Sequence, residues 1–252
     1  MSKVLAFCNH KGGVGKTTSV MSIGSILAAQ GYSVLLVDMD AQQNLTASLS
    51  DGEYSSNTYT ALRERANLPQ VQIKENLYLC PASLDLAAIE SEIGGTIGRE
   101  RALEKALQPI RDKYDYILID CAPSLGLLLI NALTAADLVF IPLIAESLPY
   151  KGLASLESVI AQVREYLNPR LTLGGVFFTR WAGRNLNKQV ADAAAERYGD
   201  LLLHTRIREN IAIAEAPLEK KSITDYAEDS NGAADYRALT AEVVQRCNMV
   251  TK

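Results

Sequence analysis

The residues best suited to chemistry lie near the amino end, in the run His10-Lys11-Gly12-Gly13-Val14-Gly15-Lys16-Thr17-Thr18. Glycines let successive backbone N–H groups turn inward around phosphate oxygens, and a helix beginning just behind them adds partial positive charge. In that setting Lys16 reaches the β- and γ-phosphates of a nucleotide, and the Thr17 hydroxyl is a ligand for Mg²⁺. The pattern is that of a P-loop, which needs a strand in front and a helix behind. His10 stands where the usual form has its first glycine, and Lys11 is a second lysine within the loop.

Acids complete the set. In Val37-Asp38-Met39-Asp40-Ala41-Gln42 two aspartates are spaced i and i+2 at the end of an apolar run. On a strand they project the same way, so one carboxylate can assist Mg²⁺ and the other can orient an attacking water. Taken by itself, the run also fits a pair of solvated turn aspartates. Tyr116-Ile117-Leu118-Ile119-Asp120 is an apolar strand ending in an acid, the Walker B pattern. Asp120 would hold Mg²⁺ through water, since that ion keeps several of its waters.

The elements that must position these groups are short apolar runs alternating with helical stretches. Strands are predicted over Val4–Cys8, Val34–Val37, Leu77–Cys80, Tyr116–Ile119, Leu138–Ile141 and Leu173–Phe178. Most are nearly continuous in Val, Ile and Leu, as strands buried on both faces are. Helices are predicted over Thr17–Gln30, Arg99–Lys113, Leu127–Ala136, Leu153–Leu167, Leu186–Tyr198 and Ala233–Arg246. Such alternation implies right-handed crossovers and an α/β fold with a doubly wound, mostly parallel sheet flanked by helices. Its ligands bind beyond the carboxyl ends of the strands. The polar stretch Asp51–Gln72, with a short helical piece at Tyr59–Arg65, reads as a surface excursion.

With 252 residues the chain fits one domain spanning 1–252, within the range of single α/β units. A net charge of −4 argues against a uniformly basic surface but leaves room for a local basic patch. Cys8, Cys80, Cys121 and Cys247 are widely spaced with no C-x-x-C pair, which disfavours a disulfide framework or a zinc site. No signal peptide precedes the first strand and no apolar run reaches membrane-spanning length. A cytoplasmic protein without an appended helix-turn-helix domain is expected.

The run from Lys11 to Thr18 resembles the signature of the ParA/MinD branch of deviant Walker A P-loop ATPases, and the ParA family of partition ATPases is the nearest resemblance. It extends from Lys3 to about Val244. By that resemblance Lys11 crosses a homodimer interface to the partner's nucleotide, placing positive charge where an arginine finger would. Asp38-Met39-Asp40-Ala41-Gln42 is similar to the family's D-x-D-x-Q element, in which the acid at Asp40 is the hydrolytic one. Family members commonly have Pro and Gly where Ala41 and Gln43 stand here. Cys121 through Gly126 looks like the switch segment, with Cys121 read as a small buried thiol rather than a cluster ligand. Ile141-Pro142-Leu143 with Glu146 and Gly152 resembles the segment that closes over the site. Thr205 through Pro217 is similar to the adenine-side loop, which implies Ile207, Arg208, Asn210 and Pro217 around the base. Arg208 replaces a frequent Pro, and Ala212 replaces a basic residue.

The resemblance implies ATP and Mg²⁺ as cofactors, a homodimer with ATP, non-specific DNA and a ParB-like or other activating protein as partners, and nucleoid association when ATP is bound. Basic residues available for DNA phosphates are Arg180, Arg184, Lys188, Arg197, Arg206, Arg208, Lys220, Lys221, Arg237 and Arg246. Lys188, Arg197, Lys220 and Lys221 are taken as the DNA-contacting set. Two other readings stay open. A MinD-like membrane switch needs an amphipathic basic C-terminal helix, and Val243–Lys252 holds few apolar and only two basic residues. A small-molecule ATP-dependent ligase needs a substrate site of its own.

Overall fold

Residues with both faces apolar form the middle of an eight-stranded sheet. The computed structural model describes residues 2–145 and 152–249, together with the backbone of residues 150 and 151. The strands are β1 (Lys3–Phe7), β2 (Val34–Met39), β3 (Val71–Lys74), β4 (Leu77–Cys80), β5 (Tyr116–Cys121), β6 (Leu138–Ile144), β7 (Thr172–Trp181) and β8 (Leu202–Arg208). Their order is β3-β4-β2-β5-β1-β6-β7-β8. Every pairing is parallel except the β3–β4 hairpin. The helices are α1 (Lys16–Ala29), α2 (Asn44–Leu49), α3 (Thr58–Glu64), α4 (Ile89–Glu92), α5 (Ala102–Leu107), α6 (Leu127–Ala135), α7 (Tyr150–Tyr166), α8 (Asn185–Tyr198), α9 (Ile211–Glu215), α10 (Ile223–Tyr226) and α11 (Asn231–Met249).

Side-chain alternation along the strands divides the core in two. Val4 and Ala6 of β1, with Cys8 just beyond its end, pack in one layer with residues of α3, α5, α6, α7 and α8. Leu5 and Phe7 face the other, with α1, α2, α10 and α11. The strand order reverses beside β1, and a doubly wound sheet opens a ligand crevice at such a switch point. α11 buries Ala233, Tyr236, Leu239, Val243 and Cys247 against the sheet, so its apolar face is already used. Residues 250–252 of the predicted C-terminal segment lie outside the described residues.

The structure corrects three expectations. The single helix over 99–113 is broken into a 3₁₀ turn at Arg99–Arg101, the short α5, and a second turn at Arg111–Lys113. Pro109 causes the break after α5, because its ring meets the carbonyl four residues back and it has no N–H to bond there. Thr205–Arg208, read as loop, is part of β8, an edge strand whose buried Leu203 and Ile207 alternate with exposed His204 and Arg206. The stretch 51–72 is only partly a surface excursion, since Tyr59, Ala61, Leu62 and Leu68 are buried and Val71 already opens β3.

Candidate active site

Between the end of β1 and the start of α1 the chain makes the loop that the glycines anticipate. Gly13 and Gly15 sit at φ 70° and 84°, in the left-handed region where side chains are strained. A Cβ on Gly15 would also lie 3.3 Å from Thr179 Cγ2. The loop is pinned from β6 and β7. The Asn9 amide donates to the Pro142 carbonyl at 2.7 Å, and its oxygen accepts from the Lys11 N–H at 3.0 Å. The Thr179 hydroxyl reaches the Val14 and Leu143 carbonyls at 2.9 and 3.2 Å. Lys16 is 7% exposed, and its ammonium donates to the Lys11 carbonyl at 3.3 Å, bridging the loop as a phosphate-binding lysine should. The His10 ring packs so tightly on Gly152 of α7 that a Cβ there would lie 1.8 Å from Nε2. Glu146, expected beside Gly152 over the site, lies outside the described residues.

Parallel pairing sets the acids. Asp38 of β2 is in register with Asp120 of β5, and alternation turns both toward the α1 layer rather than the layer holding Cys121. Asp38 is fully buried. Its Oδ2 accepts from the Thr46 N–H and hydroxyl at 2.9 and 2.7 Å, and its Oδ1 accepts from the Asp40 N–H at 3.1 Å. Burial raises its pKa to about 6; the Thr46 bonds oppose the rise, and the Asp40 charge adds to it. Asp120 is 1% exposed, and neither of its carboxylate oxygens has a hydrogen-bond partner. Burial, then the charge of Asp38, pushes its pKa well above the ordinary range; the Thr17 hydroxyl, close but outside hydrogen-bonding geometry, and the Lys16 charge pull the other way. A buried carboxylate with both oxygens orphaned is a costly arrangement that a divalent cation relieves. Among the described residues no group of three or more His, Cys, Asp or Glu forms a cage of its own. That donor set fits Mg²⁺, which is usually held by one or two carboxylates together with phosphates and water.

These groups border a cleft of about 830 Å³ at the carboxyl ends of the strands, a size suited to a nucleotide. Gly12, Gly13, Gly15, Lys16, Thr17, Thr18 and Asp40 line it, as do Ile207, Arg208 and Asn210 from the other end. Asn210 also caps α9, accepting from the Ala212 N–H at 2.9 Å. Several expected residues stand elsewhere. Val14 is buried beneath the loop, Asp38 and Asp120 lie behind the wall, and Lys11 and Pro217 are not part of the lining. Pro217 is in the first turn of a 3₁₀ segment, Ala216–Glu219. The Arg208 side chain is committed to α11, donating from Nη2 and Nε to Asp235 at 2.6 and 2.9 Å. Sequence reasoning missed Asn44 and Ser48 of α2, Thr179 and Tyr236, and placed Pro123 only in the switch segment and Arg180 only among the basic residues open to DNA. Thr179 and Arg180 had a usable signal, since they directly follow a predicted strand of a parallel sheet.

The four residues taken as DNA contacts are not brought together. Lys188 and Arg197 are on α8, which packs on the β1 Val4/Ala6 face, whereas Lys220 and Lys221 precede α10 on the opposite layer. Arg197 is paired with Glu157. Lys220 bonds the Ala47 carbonyl and pairs with Asp51 at 3.0 Å. Cys121 is buried, and burial followed by the neighbouring Cys8 raises its thiol pKa, in keeping with an inert side chain. Among the described residues no helix is long and apolar enough to cross a membrane.

A family model described as an AAA domain matches residues 2–173. The chromosome-partitioning ATPase Soj of Treponema pallidum is 39% identical over 250 residues, covering 98% of each chain. The chromosome partitioning protein ParA of Caulobacter vibrioides is 40% identical over 252 residues, 97% of this chain and 94% of that one. Among solved structures, cobyrinic acid a,c-diamide synthase from Mycobacterium smegmatis with a bound ATP analog and magnesium superposes with a TM-score of 0.87. It shares 34% identity and covers 98% of this chain and 96% of its own.

Proposed function

The chain belongs to the ParA family of P-loop ATPases, and on that premise we propose that it is an ATP-dependent dimerising switch. In this reading it binds ATP with Mg²⁺, hydrolyses ATP slowly, and as the ATP dimer holds DNA without sequence preference, to partition or position DNA or another cargo. The observation that carries the reading is the convergence of Lys16, Thr17 and Asp40 on one cleft, with the orphaned carboxylate of Asp120 behind it. The N–H groups of Gly12 to Gly15 cradle phosphate oxygens, and Lys16 bears on the β- and γ-phosphates. Thr17, Asp38 and Asp120 hold Mg²⁺, which when bound neutralises charge on the phosphate oxygens. Asp40 orients the attacking water. Lys11, half-buried and outside its own chain's cleft, acts across the dimer on the partner's nucleotide.

A cytoplasmic location, nucleoid association with ATP, and stimulation by a ParB-like or other activating partner follow from the same reading. The test is Asp40→Ala with ATP. It should be dimeric by light scattering and retain arbitrary duplex DNA at low salt, while the ADP form is monomeric and retains none. One mass in both nucleotides refutes the dimer switch, and no ATP-dependent DNA retention removes the partition role.

The likeness to the cobyrinic acid synthase favours a second reading, an ATP-dependent small-molecule synthase. Basal turnover separates the two. The switch must stay loaded long enough to act, whereas a rate near the enzyme median of about 10 per second supports the synthase.

A further inference from the structure

We propose that Arg180 grips the nucleoside half of the bound nucleotide, a role distinct from the DNA contact its charge suggests; the inference rests on the ATP-binding reading above. Arg180 is the penultimate residue of β7 and lines the cleft. β7 stands two strands from β1 in the sheet, about 10 Å across at the usual strand spacing. Its carboxyl end therefore flanks the far part of the cleft rather than the terminal phosphate. On its other side β7 pairs with β8, with Trp181 opposite Arg208, so Arg180 is beside the Ile207–Asn210 wall. The preceding residue, Thr179, fixes the Val14 carbonyl and abuts Gly15, which sets Arg180 just past the phosphate loop.

Three further observations single out this guanidinium from the other that lines the cleft. Arg208 points into the Asp235 carboxylate and is not available to a ligand. Arg180 is exposed and enters none of the ion pairs found among the described residues, unlike Arg63, Arg99, Arg101, Arg111, Arg197 and Arg237. Its backbone is at φ 50°, the left-handed region that a side chain occupies only under strain. Such outliers gather at ligand sites when something there requires the side chain. A guanidinium is planar, always charged and donor-only. It stacks on a purine face and donates to ring or ribose acceptors, while the aliphatic side chains of Ile207 and Ile213 can cover the other face of the base.

The test is calorimetry on Arg180→Gly with Mg·ATP and, separately, with magnesium and inorganic tripolyphosphate. Glycine accepts the left-handed backbone, so the variant should fold with a melting temperature no lower than wild type. ATP should bind about tenfold or more weakly, in line with loss of one oriented contact, and tripolyphosphate should bind as before. Arg180→Lys, which keeps the charge and loses the plane, should stay weakened for ATP. Unchanged ATP affinity in Arg180→Gly overturns the proposal, as does an equal loss for tripolyphosphate or full rescue by lysine. Failure of the underlying site has a different signature, because wild type would then bind neither ligand. Lys16→Ala, by contrast, should lose both.

Discussion

Replacing Asp120 by Asn in the nucleotide-free protein removes a charge from a place that burial and Asp38 both make unfavourable. The carboxylate is 1% exposed with no hydrogen-bond partner on either oxygen, and a buried unsatisfied polar group costs about 1–3 kcal/mol. Because an amide of the same shape still lacks partners, the expected gain is the charged part alone, about 1–2 kcal/mol. For a chain of this length that is a rise of roughly 3–6 °C in melting temperature. The gain depends on pH, and its sign follows from linkage. Asp38 in the same pair moves from 3.8 to about 6. Asp120 is raised as well, by burial and then by the charge of Asp38, so the folded chain binds its proton more tightly than the unfolded chain, and wild type loses stability as pH rises above the unfolded aspartate range. Asp120→Asn should therefore be more stabilising at about pH 8 than at about pH 5. Thermal melts in EDTA at both pH values measure this. Added Mg·ATP should raise the wild-type melting temperature well above that of the variant, because ligand linkage acts only where ligand binds. A variant that melts at or below wild type in EDTA, with the same Mg·ATP increment, refutes the assignment of Asp120 as a strained cation ligand.

Other perturbations follow from the same geometry. Lys11→Ala should bind ATP nearly as wild type by calorimetry, since its own cleft does not use the side chain, yet hydrolyse it at least about tenfold more slowly. Gly152→Ala drives a methyl to 1.8 Å from His10 Nε2 and should cost about 1–3 kcal/mol. His10→Ala in the same chain should restore most of that loss in denaturant melts. If Lys188 and Lys221, which enter none of the ion pairs found among the described residues, contact DNA phosphates, each replaced by Ala should flatten the log–log salt slope of DNA binding by about 0.9. Arg197→Ala and Lys220→Ala should flatten it less, because Glu157 and Asp51 already hold those cations. Equal effects of all four would contradict this ordering.

The phosphate loop and the strand-end acids were legible because they are local: strand, glycines, lysine and threonine are contiguous, and Asp38 and Asp120 each close an apolar run. Edge strands were not. β8 buries only alternate residues and carries His204 and Arg206 outward, so its pattern resembles a loop more than a core strand. β3 is only four residues long and is paired with β4 alone. The far end of the cleft was legible in outline, yet the partner of Arg208 lies 27 residues on at Asp235, which no local pattern reveals. Arg180 read as one surface cation among many until the sheet order put it on the cleft. The orphaned state of Asp120 is a property of packing, invisible in a string of letters.

The bonds around Asp38 bear on how this sequence can drift. Three of its acceptor positions are occupied, two by Thr46 and one by the Asp40 N–H. An asparagine at position 38 that turned its amide toward Thr46 would set donor against donor, and a valine at 46 would strip the carboxylate of a hydroxyl. The Thr46 hydroxyl also accepts from the Ala82 N–H at 3.0 Å, so that valine would orphan a backbone group as well. Positions 38 and 46 are thus bound into one heritable unit, with the backbone N–H groups of 40 and 82 as its fixed frame, and the first change in the pair is harmful unless a second has already prepared for it.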